Sequence, residues 1–300
     1  MDFIDKQILL SLLANCRVTY QELANAHNIS SNAIKKRIDK MESNGIIESY
    51  VIELSYAMVN AENAMIFAST NGSENSSTFI DQLGSNETIN YVGELSGSVY
   101  IIFITYQNGS IGLGQFTAFL RSFDFVTKVE MYPLFIMKGK IKEFNTQELL
   151  VIRELLKNPR EPVSSIASST NLPARIIKRI LDDFKTNNYV QLTIRWNLNA
   201  GNNISFLERI EFDEKRTSVQ TILTWLEQQF QKSFLAPIIC STVPVIYAAF
   251  VIDQLTELHE IESILKKHEG FKSIITYIGK PSKSFPDIKT DYLKKLIAKI

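Results

Sequence analysis

Over about fifty residues this chain repeats one pattern of apolar and basic positions. Asn15 and Arg17 reappear as Asn158 and Arg160, and Ile29 as Leu172. Ile34-Lys35-Lys36 returns as Ile177-Lys178-Arg179, Met41 as Phe184, Asn44 as Asn187 and Ile46-Ile47 as Tyr189-Val190, all at one ungapped offset of 143. A period of nearly half the chain is far longer than the roughly 20–50 residues of a solenoid or propeller unit. It requires two copies of a whole domain arrangement within 300 residues, which is enough chain for several separate cores.

The repeated stretch has helical spacing. Ile4, Ile8, Leu9, Leu12 and Leu13 lie on one face of a first helix. Thr19-Tyr20-Gln21-Glu22 has the form of a capping box, in which the hydroxyl and the carboxylate each satisfy an orphan amide. A short second helix follows through Leu23-Ala24, then a turn at Asn28-Ile29, and Ser30 or Ser31 caps a third helix. Ile34, Ile38 and Met41 form the buried side of that third helix, which leaves Ser31, Asn32, Lys35, Lys36 and Lys40 mostly elsewhere. Asn44-Gly45 ends it, because glycine accepts the left-handed conformation cheaply. Residues 46–52 read as a strand, the start of a wing. The major groove of DNA admits one α-helix, lysines reach phosphates or guanine edges, and asparagine pairs with adenine.

In the second copy Pro162 and Pro173 stand where Thr19 and Ser30 cap the first, and Asn188 stands where Gly45 does. Proline is tolerated at a helix start and asparagine is the next-best left-handed residue, so the fold is expected to survive. Arg175, Lys178, Arg179 and Lys185 make this third helix basic, with Asp182 and Asp183 expected to blunt its field.

Ile4-Asp5, Ile8-Leu9, Asn15-Cys16-Arg17, Glu22-Leu23-Ala24, Ile29-Ser30, Ile34-Lys35-Lys36-Arg37-Ile38, Met41-Glu42, Gly45-Ile46-Ile47 and Tyr50 carry a family resemblance. With them, residues 2–52 resemble the N-terminal domain of the Lrp/AsnC (feast/famine) transcription regulators. The resemblance implies that the third helix is a recognition helix. This assigns DNA contacts to Ser31, Asn32, Lys35, Lys36 and Lys40, and by the repeat to Arg175, Lys178 and Arg179.

Between and after the helical triplets, alternating patterns give β-α-β-β-α-β twice, the order of a ferredoxin-like sandwich. In the first copy the strands and helices fall at 61–70, 78–83, 91–106 (two runs broken at Ser96-Gly97-Ser98), 113–123 and 126–136. In the second they fall at 204–212, 219–230, 235–241, 245–252, 255–267 and 271–278, with Thr242-Val243-Pro244 in place of the glycine turn. The fold class is therefore α+β. Its expected division is a winged helix-turn-helix at 1–55, a sandwich at 60–140, a second winged helix-turn-helix at 141–200, a second sandwich at 201–280, and an amphipathic helix at 281–300. In the resembling family the sandwich pairs subunits and binds small effectors such as amino acids, which assigns an effector contact to Ser96, Gly97 and Ser98. A fused chain supplies both halves of such a pair, with half-sites expected roughly 34 Å apart on DNA. The final stripe Ile288, Tyr292, Leu293, Leu296, Ile297 and Ile300, ringed by Lys289, Lys294, Lys295 and Lys299, is expected to pack on its own domain or a partner rather than on a membrane.

Composition excludes several classes. No apolar run approaches the roughly 20 residues of a membrane span, and residues 1–10 carry Asp2 and Asp5 without the basic start of a secretory signal. Cys16 and Cys240 are far apart, which fits a reducing cytoplasm and no zinc module, and His27, His259 and His268 have no metal-ligand spacing. No motif requires a cofactor. Net charge is zero, but residues 51–137 carry two basic and eight acidic side chains while 138–200 carry eleven and six. DNA contact must therefore come from local clusters.

An enzyme can share the same plan. Siroheme decarboxylases resemble this tandem arrangement, and that likeness would require a His-Asn-Tyr-x-Arg-like stretch before the first hairpin. Here the stretch is Ile89-Asn90-Tyr91-Val92-Gly93, without the histidine or the arginine. No phosphate loop or Ser-His-Asp signature appears. The expectation is a non-enzymatic regulator whose partners are double-stranded DNA and a small metabolite. The alternative is a ligand-sensing or interaction protein that has lost DNA binding.

Overall fold

Both copies begin with three helices whose ends are fixed by local hydrogen bonds. In the computed structural model, which describes residues 1–135, 138–200, 203–298 and 300, the first copy has α1 (Phe3–Ala14), α2 (Tyr20–His27) and α3 (Ser31–Ser43), then β1 (Ile47–Leu54). The Thr19 capping box forms in full, and the Ser30 hydroxyl accepts from the Ala33 amide. Gly45 takes the left-handed conformation at φ 74°. A sandwich follows as β2 (Glu62–Thr70), α4 (Ser76–Gly84), β3 (Ile89–Leu95), β4 (Val99–Tyr106), α5 (Gly109–Arg121) and β5 (Val126–Pro133).

The second copy repeats the order. Its helices are α6 (Thr146–Lys157), α7 (Val163–Thr170) and α8 (Ala174–Asn187), followed by β6 (Val190–Trp196). Pro162 and Pro173 sit at the two N-caps and make no side-chain cap, while Asn188 is left-handed at φ 51°. Then come β7 (Ile204–Phe212), α9 (Val219–Gln229), β8 (Phe234–Ile239), β9 (Val245–Ile252), α10 (Leu255–Leu265), β10 (Phe271–Ser284) and α11 (Ile288–Ile297).

The chain gathers into two units, each drawing on both copies. The first comprises Met1–Lys6, Asn63–Ile136 and Asn197–Phe285. Its strands form one eight-stranded sheet in the order β5-β2-β4-β3-β10-β7-β9-β8, two ferredoxin-like sheets joined edge to edge through β3 and β10. The outer edges also meet, by the bridge between Leu134 and Cys240. The two joins are pseudo-equivalent but unequal, because β10 runs on past Ile278 and pairs Ser282, Lys283 and Ser284 with Gly93, Val92 and Tyr91. Residues 281–284, expected in the tail, are thus strand.

Strand alternation divides the core of this unit. Ala64, Ile66 and Ala68 face α4 and α5 with Phe79, Leu83, Phe116 and Leu120. Their neighbours Met65 and Phe67 face the other way, onto Tyr247 and Val245 of the second sheet. Phe67 stacks on Tyr247 at 4.8 Å. In the second sandwich Phe206 and Ile210 pack toward the helices, and between them Glu208 is fully buried. Both Glu208 oxygens lie 3.0 Å from the Thr276 hydroxyl, which lies 2.6 Å from Oε1 of Glu262.

The second unit comprises Gln7–Glu62, Met137–Trp196 and Pro286–Ile300. The strand expected to begin a wing is here paired with its counterpart. β1 runs antiparallel to β6, Tyr50 opposite Ile194 and Val51 opposite Thr193. The offset of 143 carries the first of these pairs onto the second, so a pseudo-twofold axis passes between them. α11 docks in this unit, against β1 and α6. Leu293 is fully buried, and Lys289, expected among the solvated lysines, is 5% exposed. Its ammonium lies 2.7 Å from Glu53 and 4.4 Å from the centre of the Tyr56 ring. That carboxylate holds the Lys289 ammonium charged despite burial.

Candidate nucleic-acid interface

The two third helices are held by the same design. Ile34, Ile38 and Met41 anchor α3, and Ile177, Ile180 and Phe184 anchor α8. On α3 this leaves Asn32, Lys35, Lys36 and Lys40 exposed, with Ser31 half-buried. The Ser31 hydroxyl donates to Oε1 of Gln21 at 2.9 Å and so ties α3 to α2. Lys35 pairs with Asp39 at 3.1 Å along the exposed helix face, which raises the affinity of its ammonium for the proton. A phosphate would have to share or displace that carboxylate.

On α8, Arg175, Lys178 and Arg179 are all exposed. The repeat sets them at the positions of Asn32, Lys35 and Lys36, so the second helix offers guanidinium groups where the first offers an amide and a lysine. The two acids expected to weaken this helix behave differently. Asp183, which replaces Lys40, is bound by Lys142, which also meets Glu148 at 2.7 Å. That ammonium holds the Asp183 carboxyl below its usual range. Asp182 stays exposed on the helix.

Residues marked in the sequence by the repeat alone, with no role attached, fix the two helix triplets to each other. Asn15 and Asn158 each accept the amide of the arginine two residues on, the same turn in both copies. The turns project Arg17 and Arg160 across the pseudo-twofold. Arg17 donates to the Pro159 carbonyl at 2.7 Å. Arg160 donates to the Tyr50 hydroxyl at 3.0 Å and lies 5.2 and 4.9 Å from the rings of Tyr20 and Tyr50. Tyr50 in turn donates to Glu42 at 2.5 Å, and burial together with this carboxylate pushes its hydroxyl well above the usual phenol range. The Cys16 amide donates to the Leu192 carbonyl at 2.8 Å, and the Thr193 hydroxyl to the Leu13 carbonyl at 2.6 Å. The repeated Asn-x-Arg was the visible signal, but its hydrogen-bond partners are 142 and 110 residues away.

Ser96, Gly97 and Ser98 form the β3–β4 turn, with Gly97 and Ser98 left-handed. Ser96 exchanges bonds with Ile278: its amide donates to the Ile278 carbonyl, and its hydroxyl accepts from the Ile278 amide at 3.0 Å. The Ser98 carbonyl accepts from the Thr70 amide. The turn therefore joins the two sheets. The stretch tested for decarboxylase chemistry is also packed. Asn90 donates to the Thr105 hydroxyl at 3.0 Å and Tyr91 lies against Phe103.

Fold and site together define a single-chain pair of winged helix-turn-helix units carried with a paired α+β sandwich. Residues 1–48 match the profile of a family described as winged helix-turn-helix DNA-binding. An uncharacterised HTH-type transcriptional regulator of Pyrococcus horikoshii is 34% identical over 59 residues, 20% of this chain and 40% of that protein. The HTH-type transcriptional regulator LrpB of Bacillus subtilis is 42% identical over 52 residues, 17% of this chain and 35% of that protein. The chain thus spans about two fifths of the length of the curated relatives it matches. Along its whole length it is similar to the crystal structure of the siroheme decarboxylase NirDL, with TM-score 0.59, 12% identity and 99% of both chains covered. At that identity the likeness shows the tandem fold alone. The first fifth of the chain is similar to HTH-type transcriptional regulators, LrpB among them.

Proposed function

We propose that the protein is a sequence-specific DNA-binding transcription regulator that acts without catalysis and responds to a small metabolite. The observation that carries this reading is the pair of matched helices, α3 and α8, related by one pseudo-twofold and each bearing exposed cations opposite its buried anchors. Asn32, Lys35, Lys36 and Lys40, with Ser31 beside them, supply base and phosphate contacts from α3. Arg175, Lys178 and Arg179 supply phosphate contacts from α8. A pseudo-symmetric reader fits two half-sites on one face of a duplex, one helical turn or roughly 34 Å apart. The match of the first 48 residues to a DNA-binding family supports the same reading.

The test is binding of the purified chain to its own promoter fragment and to random duplex as salt is raised. If the six cations among Lys35, Lys36, Lys40, Arg175, Lys178 and Arg179 all meet phosphates, affinity should fall about a thousandfold between about 50 and 200 mM salt. Lys35→Ala/Lys36→Ala should remove the promoter preference and flatten the logarithmic salt slope by about two. No binding at low salt would refute the reading and leave the alternative of a sensor or interaction protein.

A further inference from the structure

The two sandwiches differ most where the first is filled by aromatic rings. In the first copy Phe79, Phe119, Phe123 and Phe125 form a continuous cluster with edge-on and tilted contacts of 4.8–5.6 Å. The second copy aligns with it through its buried anchors. Leu113, Phe116 and Leu120 of α5 recur as Leu258, Ile261 and Leu265, an offset of 145, and Leu83 of α4 recurs as Leu226 of α9, an offset of 143. By the same offsets Phe79 becomes Ile222, Phe119 becomes Ile264, Phe123 becomes His268 and Phe125 becomes Gly270. Four phenyl rings are thus exchanged for two isoleucines, one imidazole and no side chain.

Beside Ile264, His268 and Gly270 the second sandwich has an open groove of about 790 Å³ along α9 and the end of α10, a volume within the roughly 300–1,000 Å³ of small-molecule sites. A new aromatic wall borders it. Trp225 lies edge-on to His268 at 4.6 Å, and His268 stacks on Phe271 at 4.0 Å. Gly270 lets Thr217 and His268 close over its Cα, since a Cβ there would come within 2.9 Å of the Thr217 methyl carbon and 3.1 Å of the His268 ring. The His268 Nδ1 accepts the Gly270 amide at 3.1 Å, which leaves Nε2 as the donor of a neutral ring. Burial lowers the proton affinity of that ring and keeps it neutral. The Thr217 hydroxyl oxygen is buried and has no hydrogen-bond partner among the described residues. Arg216 and Lys267 stand at the rim with one acid, Glu269. Arg216 is 67% exposed, lies 3.7 Å from Asp213 and donates to the Glu269 carbonyl at 3.3 Å, which leaves part of its guanidinium fork for a ligand.

We infer that the second sandwich binds a small aromatic carboxylate in this cavity. Its ring takes the place of the lost phenylalanine rings, against Trp225 and His268. Its carboxylate accepts from the Arg216 guanidinium and the Thr217 hydroxyl, with the Lys267 ammonium adding charge. The first sandwich, plugged by its own rings, binds nothing there, so one chain takes up one ligand.

Trp196 and Trp225 are the two tryptophans of the chain, so Trp196→Phe leaves Trp225 as sole reporter. Titrating that full-length variant with phenylacetate should change its fluorescence saturably at a stoichiometry of one. Phenylacetamide, the neutral analogue, should bind at least tenfold more weakly, and Arg216→Gln should weaken phenylacetate at least fivefold. Ile264→Phe/His268→Phe, which restores the rings of the first copy, should abolish binding while circular dichroism and the melting temperature stay near those of the parent. Absence of saturable phenylacetate binding, equal affinity for the amide, or binding that survives the refilled cavity would each overturn the inference. Arg216 is largely exposed and its substitution leaves the core untouched, so that arm decides the matter if the refilled variant does not fold. No DNA enters these measurements, so their outcome is independent of the regulator reading.

Discussion

Glu208 should make the stability of the protein fall as pH rises, and Glu208→Gln should remove the effect. The Thr276 hydroxyl has one proton and three carboxylate oxygens around it, at 2.6, 3.0 and 3.0 Å. That one proton cannot serve both carboxylates at once, so Glu208 and Glu262 compete for it. Burial pushes the Glu208 carboxyl up to about 7, with the Glu262 charge adding to the rise and Thr276 and Lys266 opposing it. The native state therefore holds the Glu208 proton more tightly than the unfolded chain. Stability from this group is complete below the ordinary carboxylate range and is lost as pH climbs from about 4.5 to 7, a change of about 3 kcal/mol. Glutamine keeps a neutral donor and acceptor at the position. Urea unfolding of both proteins at pH 5, 6, 7 and 8 isolates the effect, because the other titrating groups cancel in the difference. Between pH 5 and 8 the parent should lose about 2–3 kcal/mol relative to Glu208→Gln. Parallel profiles, within about 0.5 kcal/mol, would show that Glu208 is not the proton holder and would refute the reasoning.

Three further outcomes are expected. Lys289→Ala leaves Glu53 and Asp287 without their buried cation and should cost about 3 kcal/mol in denaturant unfolding, whereas Lys289→Met/Glu53→Gln should recover most of it. Arg160→Ala removes one hydrogen bond and two ring contacts across the pseudo-twofold and should cost about 1–2 kcal/mol, read as a lower melting temperature. Phe184→Ala empties a core position that is 1% exposed, and should cost about 3–5 kcal/mol by the same urea assay.

Local physics was legible in the sequence. The Thr19 capping box, the Ser30 cap and the left-handed Gly45 and Asn188 lie within a few residues of their partners, and all form. The anchors Ile34, Ile38 and Met41 follow from helical spacing, and so does the exposure of Lys35, Lys36 and Lys40. What pairs at long range was not legible. Ile47–Leu54 alternates like any wing strand, and nothing in it announces β6 as partner. Lys289 reads as one more solvated lysine until Glu53, 236 positions earlier, is brought to it. Glu208 breaks an apolar alternation without any nearby residue to explain it, because Thr276 and Glu262 arrive from other elements. The cavity beside Trp225 could be found only by comparing the copies ring by ring.

A symmetric dimer of identical chains receives every substitution twice, so a change that helps one side of its interface must be tolerated by the other. Pairing of β1 with β6 and of β3 with β10 within one polypeptide lifts that constraint. Phe67 on β2 and Arg209 on β7 hold matching places, yet only one of them carries a charge. The join through Ser96 has a long strand partner, while its counterpart is, among the described residues, the bridge at Leu134. Association no longer depends on protein concentration either, since the partner is always tethered. One half of such a chain is free to specialise while the other preserves the original geometry. If the proposed regulator reading holds, a DNA target of this chain need not be a palindrome, because its own two halves are not identical.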